Sequence, residues 1–279
     1  MNSLLGMKLG EGGCAEIYEW EDASKIIKLA KSNTGMDALA REFGNSQAAW
    51  ENGLPVPRPC ELTEVDGRPG MVTERIYGES LMERFMQLFM LPSGDRKWKD
   101  SDDENIRITA RCLSHIHSHR IPSMPPQRES LKWCIRSARY LTSVEKEQVM
   151  EWLDRLPVKQ QLCHGDPNPG NIIVREGKPV VIDWMDASTG NPEADLAEYI
   201  IMIRYSVLPP GLPADALDFF DSVREPIIRV FSEEYERLTG LAYREVEQWL
   251  VPLAARKLNV DSIGEEEKQR LLEFIRAGL

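Results

Sequence analysis

Three oxygen-bearing side chains in the second half of the chain are spaced to hold a divalent cation and to take a proton. Asp166 and Asn171 stand five residues apart in His164-Gly165-Asp166-Pro167-Asn168-Pro169-Gly170-Asn171, a loop stiffened by two prolines. Asn171 opens an apolar run, Ile172–Val174, and an Arg175–Lys178 turn leads to a second run, Pro179–Ile182, that ends in Asp183-Trp184. An antiparallel hairpin of that length brings its ends together, which sets Asn171 beside Asp183. An amide oxygen and a carboxylate are hard ligands of the kind Mg²⁺ accepts next to nucleotide phosphates. Asp166, just upstream, is placed to accept a proton from an attacking hydroxyl. A plain polar turn explains any one of these residues. It gives no reason for all of them between two apolar strands.

A second set lies near the N-terminus. Gly10-Glu11-Gly12-Gly13 joins two strand-like segments, and Gly10, Gly12 and Gly13 would let the backbone close over phosphates without a Cβ in the way. Glycine-rich hairpins are common, and this one lacks the G-x-x-x-x-G-K-[ST] of a P-loop. Lys28 lies in Ile26-Ile27-Lys28-Leu29, flanked by apolar residues, and a lysine on a buried strand needs a counter-charge. Glu42, on the inner turn of the next helix, is the natural partner, although Glu51 is on the same helix. A strand-edge lysine reaching to water, like its neighbours Lys25 and Lys31, is the plainer alternative.

The elements that must position these groups fall into two regions. Strands are expected at Leu4–Gly10, Ala15–Trp20, Lys25–Leu29, Cys60–Val65 and Gly70–Arg75, the last two around an Asp66-Gly67 turn. Leu39, Phe43, Ser46 and Trp50 recur at helical spacing between about Met36 and Asn52, and Gly53 stands where a helix ends. Leu54-Pro55-Val56-Pro57-Arg58-Pro59 must be extended. After Gly78 the pattern is helical over 79–90, 103–119, 129–140, 143–155, 192–206, 214–239, 243–258 and 265–277, broken by an exposed loop at Leu91–Asp103 and by the hairpin at 162–183. The expected fold is α+β with two lobes. Residues 1–77 form a small antiparallel β lobe with one helix, residues 78–279 a larger, mainly α lobe, and cofactor sites favour the cleft between such lobes.

Composition narrows the class. The 279 residues include 34 basic and 45 acidic side chains, a net charge of −11, which opposes general nucleic-acid binding. Residues 190–279 carry −7 of that charge, with Glu193, Glu198, Glu233, Glu234 and Glu236 among the acids. That surplus would suit an amine-bearing ligand, but scattered helix-surface acid is the plainer and preferred reading. Five scattered cysteines with no C-x-x-C argue against a disulfide framework or structural zinc. Met1–Gly13 is polar by Asn2 and does not read as a leader, and no apolar run reaches membrane-spanning length, so a cytoplasmic protein is expected. Asn191-Pro192-Glu193 reads as N-cap, first-turn proline and first-turn acid, and Asp195 behind it either favours the helix dipole or braces the catalytic loop.

Taken together, these residues resemble the small-molecule kinases of the aminoglycoside phosphotransferase and choline kinase-like family. The likeness rests on His164-Gly165-Asp166 through Asn171, Ile182-Asp183-Trp184 and Asp195-Leu196-Ala197, with Leu54-Pro55-Val56-Pro57 and Leu113-Ser114-His115-Ile116-His117 in support. It implies a protein-kinase-like fold and transfer of a γ-phosphate from ATP or GTP to the hydroxyl of an aminoglycoside-like or other amine- or sugar-bearing molecule. By this resemblance Asp166 is the catalytic base and Asn171 and Asp183 hold Mg²⁺. Lys28 holds phosphate with Glu42 as its partner. In a kinase connector, the Glu74 carbonyl and Ile76 amide would read the adenine edge, with Thr73 at the back of the pocket. Many members carry histidine where this chain has Asn168, and the last seventy residues match no known pattern. A protein kinase is disfavoured, because eleven residues separate Asp183 from Asp195 and no Ala-Pro-Glu follows. A catalytically inactive nucleotide-binding or assembly protein is the alternative; it would be expected to have lost Asp166, Asn171 or Asp183.

Overall fold

The computed structural model describes residues 5–21, 23–208, 211–260 and 263–279, so Leu4, the first residue of the expected first strand, lies outside them. The chain forms two compact units, Met1–Ser80 with Asn171–Ala187, and Leu81–Gly170 with Ser188–Leu279.

Strand alternation organises the first unit. β1 (Leu5–Glu11), β2 (Ala15–Trp20), β3 (Lys25–Ala30), β4 (Pro59–Val65) and β5 (Arg68–Glu74) form one antiparallel sheet in the order β1-β2-β3-β5-β4. Successive side chains of β3 point to opposite faces. Ile27 and Leu29 therefore join Trp20 and Val72 on one side, and Ala30 meets Leu39 and Met71 on the other, where α1 (Met36–Glu51) covers the sheet. Lys28 lies opposite Ile17 and Met71 in register and so shares the α1 face. The helix keeps the expected inner face except at Trp50, with Phe43 packed against the Ala30, Leu39 and Met71 cluster. Leu39, Glu42, Asn45, Ser46 and Ala49 are buried, whereas Trp50 is 44% exposed and has the Arg58 guanidinium 5.7 Å from its ring centre. Gly53 ends the helix in the left-handed region, as its position predicts.

The same unit includes a second sheet, β6-β8-β9, made of Glu79–Ser80, Ile172–Arg175 and Lys178–Val181. Glu176 and Gly177 both have positive φ, the conformation a two-residue hairpin turn requires. The β6 pairing and a bond from the Val181 amide to the Pro55 carbonyl (2.7 Å) tie this hairpin to the N-terminal residues.

The second unit contains α2 (Leu81–Met90), α3 (Asp100–His117), α4 (Gln127–Ser137), α5 (Ser143–Arg155), α6 (Pro192–Tyr205), α7 (Ala214–Thr239), α8 (Tyr243–Lys257) and α9 (Glu265–Gly278). Two three-residue strands, β7 (Gln161–Cys163) and β10 (Ser188–Gly190), pair antiparallel and flank residues 164–187 in sequence. The helix α3 starts three residues before the end of the expected Leu91–Asp103 loop, because Asp102 accepts the Lys99 amide at 2.8 Å and three acids favour the helix N-terminus. No described helix is long and apolar enough to cross a membrane.

One capping box gives a pH-dependent expectation. Glu145 accepts the Thr142 amide at 2.7 Å and the Arg276 Nε at 2.7 Å, joining α5 to α9, and the Arg276 bond first, then the Thr142 amide, hold its carboxyl at about 2. A depressed folded-state value contributes stability that is present above the ordinary carboxylate range and is lost as pH falls through about 2. Glu145→Gln is expected to lower Tm by roughly 2–4 °C at pH 7, a loss of about 1 kcal/mol. Thermal melts across pH should show that difference shrinking towards pH 2.

Candidate active site

Lys28 is the hub of the first unit. Its Nζ lies 2.7 Å and 2.9 Å from the two Glu42 oxygens and 3.0 Å from Asp183 Oδ1. Glu42 is buried on the inner side of α1, as expected, and Glu51, the other acid considered on the helix, is exposed. Burial opposes the Lys28 charge, but the Asp183 and Glu42 carboxylates outweigh it and hold the ammonium above its ordinary value. Burial pushes the Glu42 carboxyl up, and Asp183 and Asp186 add to that effect against Lys28. One cation thus serves two carboxylates, and negative charge is left over at the Asp183 end, where that side chain is 40% exposed. Lys25 pairs with Glu21, and Lys31 bonds the Gly12 carbonyl at 2.7 Å, so neither competes for this place.

The hairpin brings its two ends together. The Ile182 amide donates to the Asn171 carbonyl at 2.9 Å, one residue from Asp183. Asp183 has φ +62°, a left-handed conformation that Asp tolerates better than most residues. Its neighbour holds it there: Trp184 is buried, its indole donates to the Val181 carbonyl at 3.0 Å, and its own carbonyl accepts Asn45 Nδ2 at 2.9 Å. Among the expected nucleotide residues, Gly10, Gly12 and Gly13 surround the β1–β2 turn, and a Cβ built at any of the three would meet no atom within 4 Å. Thr73, on the same sheet face as Lys28 and Met71, is buried, and its hydroxyl donates to the Glu74 carbonyl at 3.3 Å. The Glu74 carboxylate binds Arg175 at 2.6 Å, and Ile76 lies half-buried just beyond β5.

Asp166 belongs to the second unit, half-buried after Gly165, whose φ of +83° calls for glycine. The structure decides between the two readings of Asp195. Its Oδ2 accepts the His164 amide at 2.6 Å and its Oδ1 the Gly165 amide at 3.1 Å, so the side chain clamps the loop backbone. Arg256 Nη2 reaches the Gly165 carbonyl from the other side at 3.5 Å. Asn191 stands at the N-cap, but it makes no side-chain cap bond, and its Oδ1 accepts the Lys159 amide instead.

Sequence reasoning missed the support behind Asp195. His117 Nε2 lies 3.1 Å from Asp195 Oδ2, and its Nδ1 lies 2.7 Å from the Tyr235 hydroxyl. Because the Asp195 carboxylate accepts here, Nε2 carries a proton, and Nδ1 shares a hydrogen bond with the Tyr235 hydroxyl. The signal was present in α3, where Ile106, Ala110, Leu113 and His117 follow one buried face, so a histidine on that stripe needs polar partners. His117, Cys163 and Asp195 bring a nitrogen, a sulfur and an oxygen within 4.8 Å of one another. Burial raises the Cys163 thiol well above its ordinary value and Asp195 is committed to the loop, so the trio is a brace and not a metal centre. Asp195→Asn is expected to lower kcat by roughly 10²-fold, because an amide nitrogen would face a backbone N–H and shift the loop. Nucleotide affinity should be unchanged; calorimetry alongside steady-state kinetics separates this from general unfolding.

The residues of the first unit fit a magnesium-bound nucleotide. Asn171 and Asp183 are hard oxygen donors at adjoining hairpin ends, surplus negative charge lies at Asp183, and open space stands over the glycine turn.

A model of the family described as phosphotransferase enzyme family (APH) matches residues 18–241. Among solved structures, a thermostable mutant of aminoglycoside phosphotransferase APH(4)-Ia in ternary complex with ADP and hygromycin B superposes with a TM-score of 0.64 at 15% identity, covering 99% of this chain and 92% of that one. An aminoglycoside-3'-phosphotransferase of type VIII gives 0.58 at 17% identity over 90% and 93%. A putative fructosamine-3-kinase from Haemophilus somnus 129PT gives 0.63 at 16% identity over 96% and 90%. No curated protein matches the chain in sequence. These likenesses give the chain a kinase-like fold, as the resemblance implies.

Proposed function

The chain belongs to the phosphotransferase enzyme family, and on that premise we propose that it moves the γ-phosphate of ATP, or of GTP, to a hydroxyl of a small molecule. The observation that carries this reading is the Lys28 ammonium shared between Glu42 and Asp183 at 2.7–3.0 Å, an arrangement suited to a polyphosphate and a divalent cation. Lys28 would pair with phosphate oxygens, and the amides of the Gly10–Gly13 turn would face the same groups. Mg²⁺, held by Asn171 and Asp183, would supply charge neutralisation for the β- and γ-phosphates. The Glu74 carbonyl and Ile76 amide would bind the base edge, with Thr73 behind it.

Asp166 would orient the acceptor and take its proton. As the bond from the acceptor oxygen to γ-phosphorus forms, the bond from γ-phosphorus to the bridging oxygen breaks, and its electron pair leaves with ADP. The transition state is loose, so positioning and charge stabilisation do most of the work. Intact Asp166, Asn171 and Asp183, with Lys28 engaged, favour this over an inactive nucleotide-binding protein. Phosphorus NMR of the protein with Mg-ATP and a panel of hydroxyl compounds tests the reading. A Mg²⁺-dependent phosphomonoester signal is expected; no transfer to any compound, with no Mg-ATP binding, would overturn it.

A further inference from the structure

The second unit contains a half-open cavity of about 400 Å³, within the range of small-molecule sites, and Asn168 and Pro169 of the Asp166 loop form part of its wall. The rest comes mainly from α2, α3, α6 and α7, with Phe85, Ile106, Met202 and Phe220 among its apolar side chains. The polar residues in this wall are already engaged within the protein. Asp102 caps its own helix, Asn105 Oδ1 accepts from Arg84, Ser206 Oγ accepts from Arg224, and Asn168 Oδ1 accepts the Gly170 amide at 2.8 Å. Tyr199 also faces the space; burial alone pushes its phenol up, so it stays a neutral O–H.

Of the five acids that suit an amine-bearing acceptor, Glu233 and Glu236 are exposed and do not line the cavity, and the other three are paired elsewhere. Glu193 pairs with Lys159 at 2.6 Å, Glu198 with Lys257 at 2.8 Å, and Glu234 with Arg237 at 2.9 Å. None of these three lines the cavity, where Asp102 is the single carboxylate among the described residues. A polycation buried here would leave its ammonium groups without partners, at a cost of several kcal/mol each.

We propose that this cavity seats the acceptor, and that the acceptor is a neutral, largely apolar alcohol whose hydrocarbon body fills the space beside the Asp166 loop. This rests on the phosphotransferase reading above. The chemistry is unchanged: the alcohol oxygen bonds to γ-phosphorus, its proton goes to Asp166, and ADP leaves.

The test pairs binding with transfer. Nile red, a neutral apolar fluorophore, is expected to brighten on binding and to be displaced by farnesol but not by kanamycin or choline. Phosphate transfer from Mg-ATP should favour farnesol over both cationic compounds by at least about tenfold in kcat/KM. Met202→Glu, which puts an unpaired charge in the wall, should lower dye binding and farnesol phosphorylation by at least about tenfold. If that variant does not fold, Met86→Trp, which fills the same space from α2, should give the same loss. Transfer to kanamycin or choline that outruns farnesol and ignores both substitutions overturns the proposal and leaves the phosphotransferase reading standing. Transfer to no compound, with no Mg-ATP binding, removes that reading and this proposal with it.

Discussion

Asp166→Asn is expected to lower phosphoryl transfer by about 10²–10⁴-fold while Mg-ATP binds within about twofold of the parent protein. The amide has nearly the shape of the carboxylate but cannot accept the acceptor proton, so the loss reports chemistry and not packing. Retained binding follows from where the residues belong. Every side chain expected to hold nucleotide or metal lies in the unit of Met1–Ser80 and Asn171–Ala187, and Asp166 lies in the other. Calorimetry of Mg-ATP binding together with single-turnover transfer checks both halves. Equal loss of binding and transfer would deny Asp166 its role as proton acceptor.

Asp183→Asn should behave differently, weakening Mg-ATP binding by at least about 10–100-fold and abolishing transfer in consequence. Asparagine is the informative substitution because the φ of +62° at this position suits Asn as it does Asp. The backbone is therefore kept, and only the charge is lost. Lys28 would keep both of its bonds to Glu42. Binding of metal-free ATP should consequently fall much less than binding of Mg-ATP, and the ratio of the two affinities, measured by titration with and without chelator, is the discriminating number. A ratio unchanged from the parent would detach Asp183 from the metal.

Much of this geometry is legible in the sequence, and the reasons are local. Alternation along β3 put Lys28 on the opposite face from Ile27 and Leu29, and the short turn at Glu176-Gly177 forced the ends of its hairpin together. Other features depend on contacts distant in sequence. Asp195 carried two equally good local readings, and only its bonds to the 164 and 165 amides, about thirty residues away, separate them. On α1 the inner position of Glu42 agrees with the structure, whereas Trp50 does not face inward: apolar spacing cannot foresee that Asn45 claims the inner side by bonding the Trp184 carbonyl. Strands β6, β7 and β10 are two or three residues long and have no period to detect. The apolar cavity draws on four helices and a loop, so no single segment announces it.

Asn171 and Asp183 are expected to hold a divalent cation for a nucleotide, with Asp166 outside that task. Titrating Mn²⁺ as a paramagnetic stand-in for Mg²⁺, with ATP present, into the parent, Asp166→Asn, Asn171→Ala and Asp183→Asn proteins reads this directly by EPR. The parent and Asp166→Asn should bind the ion alike, and the other two should lose it. Equal Mn²⁺ binding by all four proteins would contradict the assignment.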